Sequence, residues 1–185
     1  MNARVLAALC AAVVLGACAA IAIAPRQPQA FDLLGRVLVT YSGGALTANL
    51  RWEHNAAEDQ IWLMTPTGQT LAYIVNSREG ATLTRADQQK YRASSVEALT
   101  RQALGWALPL SLLQYWLKGE AAPGPVSGVE RAGERLMALT QNDWRVTFTY
   151  HTEGDMSGRI RRLDMSDGPN EIRLVVDTWR DSETP

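Results

Sequence analysis

Thr47-Ala48-Asn49-Leu50-Arg51-Trp52-Glu53 alternates without a fault: Ala48, Leu50 and Trp52 fall on one side, and Thr47, Asn49, Arg51 and Glu53 on the other. A period of two with one apolar and one polar side marks an antiparallel strand whose sheet is wet on one face. The same texture surrounds it. Upstream, from Phe31, the segment Arg36-Val37-Leu38-Val39-Thr40-Tyr41 is β-branched and aromatic, and Ser42-Gly43-Gly44 supplies the turn. Downstream, Gln60-Ile61-Trp62-Leu63-Met64 and Thr70-Leu71-Ala72-Tyr73-Ile74-Val75 form a hairpin around Thr65-Pro66-Thr67-Gly68-Gln69. This hairpin is apolar on both faces, so each face is expected to meet something greasy. Ala81 to Thr84 and Gln89 to Arg92 make a further hairpin. Near the C-terminus, Arg135 to Leu139, Trp144 to Tyr150, Gly158 to Met165 and Glu171 to Trp179 read as strands, with Trp144, Val146, Phe148 and Tyr150 sharing one face.

Between the two groups of strands lies the only helical pattern. Ser94 stands where a cap is needed, and Glu97 three residues on completes a capping box. Val96, Leu99, Ala103 and Leu104 share a face, with Glu97 and Arg101 paired on the other. Gly105 ends this helix. Pro109 opens a second, Leu110 to Lys118, which Gly119 closes, and Ala121 to Gly128 reads as a Pro/Gly loop. Strands, two short helices, then strands again describe a mainly β, α+β domain whose antiparallel sheet curls around a helical plug or lid.

The N-terminus has a different purpose. Arg4 precedes an apolar run from Val5 to Leu15, too short to span a bilayer, and small residues precede Cys18, which is the layout of a secretory signal. Leu15-Gly16-Ala17-Cys18 reads as a lipobox, so residues 1–17 are expected to be cleaved and Cys18 acylated. Residues 18–30, with two prolines and one charge, read as a tether, and 31–185 as one domain. Ala19, not aspartate, follows the cysteine, which under the enterobacterial sorting rule points to the outer membrane. Cys10 and Cys18 are the only cysteines, so the folded domain is expected to hold together without a disulfide.

Composition excludes more chemistry than it suggests. A net charge of −1 argues against a basic nucleic-acid surface. His54 and His151, the only histidines, sit at strand ends and read as exposed; Glu53, Asp59 and Asp164 read as solvated, and Arg159-Arg161-Arg162 as a solvated edge. No nucleophile elbow, phosphate loop or paired-histidine spacing is present. No catalytic residue, metal site or cofactor is therefore expected. What stands out is tryptophan, with six residues against two phenylalanines. An aromatic sheet face under helices serves either as a filled core or as the lining of an apolar cavity, and spacing alone leaves both open.

Several stretches together resemble the LolB family of outer-membrane lipoprotein receptors. They are Phe31-Asp32-Leu33-Leu34-Gly35-Arg36-Val37, Leu50-Arg51-Trp52, Thr65-Pro66-Thr67-Gly68, Leu104-Gly105-Trp106-Ala107-Leu108-Pro109-Leu110, Leu113-Gln114-Tyr115-Trp116-Leu117-Lys118-Gly119, Asp143-Trp144-Arg145-Val146 and Leu174-Val175-Val176-Asp177-Thr178-Trp179. The resemblance implies a strongly curved, incomplete antiparallel barrel with a helical lid over an apolar cavity for acyl chains. It implies acylated lipoproteins as cargo, the periplasmic carrier LolA as donor, the inner leaflet of the outer membrane as destination, and a monomer. Trp52, Trp116, Trp144 and Trp179 match family tryptophans and are candidates for the cavity or its rim. The apolar strand residues Val37, Val39, Leu50, Tyr73, Val146 and Phe148 complete that set. The family carries an exposed leucine between Pro and Gly in a membrane-delivery loop. Here Met64, Pro66, Thr67 and Gly68 occupy that region, and threonine is a poor membrane wedge. The competing expectation is a lipid-anchored assembly partner of outer-membrane complexes with a filled core; a lipoprotein hydrolase is more remote.

Overall fold

The computed structural model describes residues 30–181; the cleavage site, Cys18 and the tether lie outside them. The elements are β1 (Phe31–Tyr41), β2 (Gly44–His54), β3 (Glu58–Met64), β4 (Thr70–Ser77), β5 (Gly80–Arg85), β6 (Lys90–Ala93), α1 (Val96–Leu104) and α2 (Leu110–Trp116). After the helices come β7 (Gly128–Ala132), β8 (Arg135–Gln141), β9 (Trp144–Tyr150), β10 (Ile160–Ser166) and β11 (Glu171–Asp181). All eleven strands form one sheet in the order β6-β5-β4-β3-β2-β1-β11-β10-β9-β8-β7. Each neighbour is antiparallel, and the first and last strands in chain order of the two groups, β1 and β11, meet in the middle. The two edges, β6 and β7, are not joined, so the barrel is incomplete.

The curvature follows from what the inner face encloses. Leu83 of β5 and Met165 of β10 stand six strand spacings apart, yet both line one small cavity. Laid flat, those strands would span roughly 29 Å at about 4.8 Å each. A bulge between Leu34 and Gly35 helps the bend, where the partner in β11 steps from Thr178 to Val176. Gly35 is required there because a Cβ would lie 2.3 Å from the Val175 carbonyl oxygen.

Both helices sit in the concavity. The α1 cap is Ser95, one residue later than the sequence pattern predicts: its hydroxyl accepts from the Ala98 N–H, and Gly105 closes the helix at φ 82°. Glu97 is thereby freed from a capping box and instead accepts from the Ser111 N–H at 3.0 Å, tying α1 to α2. Thr100 makes a second tie, its hydroxyl donating to the Val96 carbonyl and accepting from the Leu108 N–H. α2 ends at Trp116, two residues short of the predicted end. β7 carries the other difference: Val129 to Ala132, unassigned in the sequence reading, pair with β8 at the open edge.

Candidate functional site

Beneath α1, α2 and their connection lies an apolar cavity of about 130 Å³. The sheet contributes Val37, Val39, Leu50, Trp52, Ile61, Leu63, Ile74 and Leu83; the lid contributes Thr100, Trp106, Leu108, Leu110 and Leu113; and β10 and β11 add Met165, Ile172 and Leu174. Tyr41 also lines it, and the Thr100 hydroxyl is turned to the lid's own backbone. Hollows of about 380 Å³ beside Arg145, Asp164 and Arg173, and about 590 Å³ beside β7 to β9, are larger. Those are water-facing grooves with charged walls, whereas the smaller cavity is lined almost entirely by apolar side chains, so it is the candidate site.

One polar network shapes its wall. At the end of β2 and β3, the buried Asp59 carboxylate accepts from Trp52 Nε1 at 2.9 Å and from Asn76 Nδ2 at 3.0 Å, and lies 2.7 Å from His54 Nδ1. These partners satisfy the indole N–H, so the Trp52 ring can turn its apolar surface inward without an orphaned donor. The expectation that His54 is exposed and Asp59 solvated is therefore corrected. The register pairs His54 with Asp59 on the row next to Trp52 and Ile61 at the end of the barrel, and this brings both inside. Arg159, paired with Asp181, and Arg162, paired with Asp164, stay on the solvated surface.

The structure separates the sequence-based candidates. Val37, Val39, Leu50 and Trp52 line the cavity. Trp116, Trp144, Val146 and Phe148 are buried against the opposite half of the sheet and do not line this cavity. There Trp116 Nε1 donates to Gln141 Oε1 at 3.1 Å, and Gln141 also bonds the Ala122 N–H and carbonyl. Trp179 stacks on Phe31 with ring centroids 4.4 Å apart and closes the barrel end. Tyr73 projects from the outer face, stacked on Trp62 at 5.0 Å. At the β3–β4 tip, Pro66, Thr67 and Gly68 are exposed, and Met64 falls on the outer face because Leu63 takes the inner one.

Several lining residues escaped the sequence reading: Ile61, Leu63, Ile74, Leu83, Leu108, Leu110 and Leu113. The signal for three of them was the two-sided apolar character of β3 and β4, whose inner row is Ile61, Leu63 and Ile74. Trp106 is 8% exposed, and its Nε1 has no hydrogen-bond partner.

The lid's attachment is electrostatically tuned. Burial disfavours the Glu97 charge, but hydrogen bonds from the Ser111 backbone, its own N–H and the Ser111 and Ser95 hydroxyls outweigh it, leaving the carboxyl below the ordinary glutamate value. Among the described residues no group of three or more His, Cys, Asp or Glu converges in a metal-binding arrangement.

Comparison with known proteins places these features in a family. Residues 29–179 match the family model for the outer membrane lipoprotein LolB. The chain is 33% identical to an outer-membrane lipoprotein LolB from Thiobacillus denitrificans, over 90% of this chain and 91% of that one. It is 31% identical to one from Azoarcus sp. over 95% of each, and 33% identical to one from Nitrosomonas europaea over 86% and 80%. A solved LolA superfamily protein from Nitrosomonas europaea overlays with a TM-score of 0.48 at 8% identity, covering 87% of this chain and 90% of that one.

Proposed function

The chain belongs to the LolB family, and on that premise we propose that it is an outer-membrane lipoprotein receptor that takes up acylated lipoproteins and delivers them to the bilayer. The observation that carries this reading is the apolar cavity under a two-helix lid. Such a site suits a ligand with long hydrocarbon chains and almost no polar surface.

The required work is physical, not covalent. Each buried CH₂ of an acyl chain is worth about 0.8 kcal/mol, so cargo with several chains cannot cross water unaided. A cavity that holds the chains better than the donor and less well than the bilayer passes them downhill without ATP. At about 130 Å³ the cavity resembles in size a void that holds one benzene, far less than one long acyl chain. Occupation therefore requires the lid to lift from β1 to β5. The lid's own ties favour such a motion: Glu97 to Ser111 and Thr100 to Leu108 are internal to it, so α1 and α2 can move together.

The donor in this reading is the periplasmic carrier LolA, docking directly, and the recipient is the inner leaflet of the outer membrane. Residues 1–17 are removed as a signal, Cys18 is acylated, and residues 18–30 tether the domain to that membrane as a monomer. The cavity residues Val37, Val39, Leu50 and Trp52 contact the acyl chains, while Met64, Pro66, Thr67 and Gly68 lie at the bilayer during delivery. The test is to mix the protein with LolA loaded with radiolabelled lipoprotein. Label moving to the folded protein supports the reading; label remaining entirely on the carrier contradicts it.

A further inference from the structure

Four side chains in the cavity's lining carry a hydrogen-bond donor: Tyr41, Trp52, Thr100 and Trp106. Two of these donors are spent. Trp52 Nε1 donates to Asp59 at 2.9 Å, and the Thr100 hydroxyl donates to the Val96 carbonyl at 2.9 Å. The other two are not. Trp106 Nε1 is buried without a partner, and the Tyr41 hydroxyl makes no hydrogen bond to another described residue. Among the described residues, Asp32 Oδ1 and His151 Nε2 are also buried without partners, but neither residue lines the cavity. A buried indole N–H ordinarily finds an acceptor, and leaving it unbonded costs stability.

The two unspent donors stand together. The ring centroids of Tyr41 and Trp106 are 6.5 Å apart, and Trp144 lies 6.4 Å from Trp106. Gly43 leaves room for the Tyr41 ring at the β1–β2 turn, since a Cβ there would stand 2.5 Å from Tyr41 Cε2. Tyr41 pairs with Gly44 at that turn, and Met64 pairs with Asn49, so the turn and the β3–β4 tip share one end of the barrel. Trp52, paired with Ile61, lies toward the other end, roughly 20 Å from Leu46 along β2 at about 3.4 Å per residue. The lining therefore offers free donors at one end only.

We infer that Trp106 Nε1 and the Tyr41 hydroxyl donate to the carbonyl oxygen at the head of a bound acyl chain, whose methyl end points toward Trp52 and Ile61. The inference deepens the receptor reading above and rests on it. The carbonyl of an ester or amide is the acceptor that an acyl chain brings into an apolar site, and its two lone pairs accommodate two donors. A chain with a carbonyl satisfies the buried indole N–H, whereas a bare hydrocarbon leaves it unbonded, so the pair selects for acyl groups. The aliphatic lining requires only that the ligand be apolar; Trp106 and Tyr41 determine which way round it lies. Trp106 belongs to the lid and Tyr41 to β1, so a carbonyl between them also ties the lifted lid to the sheet. This orientation leaves whatever is attached beyond the carbonyl at the barrel end that carries Pro66, Thr67 and Gly68, the end assigned to the bilayer above.

The test uses the mature chain carrying Cys18→Ala, so that no acyl group of its own competes, and three probes: methyl palmitate, N-methylpalmitamide and heptadecane. Each is measured by displacement of a fluorescent fatty acid. Trp106→Phe and Tyr41→Phe are each expected to weaken the carbonyl probes about fivefold relative to heptadecane. Loss with the ester alone assigns the contact to O-linked chains and loss with the amide alone to an N-linked one; either supports the inference. Equal changes for all three probes show that the rings act by bulk alone and overturn it. With methyl palmitate isotopically labelled at its carbonyl carbon, the infrared band of the bound ester is expected at lower wavenumber than in hexane, and to move back toward the hexane value in Trp106→Phe. An identical band in both proteins overturns the inference as well. Tyr41→Phe, which removes one oxygen from a half-buried ring, carries the same tests should Trp106→Phe fail to fold. Binding of all three probes without dependence on either residue defeats the carbonyl contact alone, whereas no binding of any probe or of the fatty acid to the folded, otherwise unsubstituted protein defeats the receptor reading itself.

Discussion

The inner face of the sheet is two surfaces made from the same residue types. From β1 to β5, valine, leucine, isoleucine and Trp52 surround a void. From β8 to β10, Leu136, Leu139, Trp144, Val146, Phe148 and Leu163 are buried, and Trp116 of the lid is buried in the same apolar cluster. The difference lies in one anchor. Gln141 meets the Trp116 indole and both polar groups of the Ala122 backbone, fixing the end of α2 to the packed half. Among the described residues, the start of α1 and the α1–α2 connection meet the hollow half through apolar packing, with Val96 and Leu99 fully buried, and make no comparable side-chain hydrogen bond to it. A fixed end beside a looser one is what a hinged lid needs, and hydrophobicity alone does not distinguish the two halves.

The largest expected effect comes from cutting that anchor. Gln141→Ala leaves the Trp116 indole and the Ala122 N–H and carbonyl buried without partners, each such group costing about 1–3 kcal/mol. A loss of roughly 3–5 kcal/mol in urea unfolding is expected; a loss below 1 kcal/mol would show that the packed half does not depend on it.

Matched enlargements test the contrast next. Val146→Phe overpacks a filled interior and is expected to lower stability by about 1–3 kcal/mol. Val37→Phe adds the same ring into the void and is expected to change stability by less than about 1 kcal/mol, while blocking binding of a fluorescent fatty acid. Equal destabilisation by the two substitutions would remove the distinction between the halves.

The smallest effect concerns the lid's internal tie. Glu97 is held below its ordinary value in the folded chain, so its contribution is complete above the unfolded glutamate value and is lost as pH falls through the lower folded one. Amide exchange in α1 and α2 is expected to quicken over that acidic window while β8 to β10 hold. Glu97→Gln is expected to remove this pH response and to cost about 1 kcal/mol. Identical acid sensitivity in Glu97→Gln would assign the response elsewhere.

Much of the fold was legible from alternation. The strict period of two in Thr47 to Glu53 and Trp144 to Tyr150 identifies strands and their inner faces, because a sheet wet on one side demands that pattern. β7 was not legible: Gly128 to Ala132 lie on an exposed edge where nothing enforces alternation. The cavity itself was half legible. Val37, Val39, Leu50 and Trp52 belong to it, but periodicity ranks Val146 and Phe148 equally, since both sets face inward. What separates them is where Trp116 lands, a contact 25 residues distant in sequence from Gln141. Tyr73 faces out because its register partner Trp62 does, which an isolated apolar run cannot reveal. The burial of His54 and Asp59 likewise depends on pairing across β2 and β3.

The measurement that bears most directly on the account is photocrosslinking from within the ligand. Lipoprotein cargo carrying a photoactivatable group near the end of its acyl chain, transferred from LolA and illuminated, is expected to label Ile61, Leu63, Leu110 or Leu113 when digested and sequenced. Labelling confined to Leu136, Leu139 or Phe148 of the packed half, or transfer without any crosslink inside the domain, would contradict a receptor whose hollow half opens while its filled half stays shut.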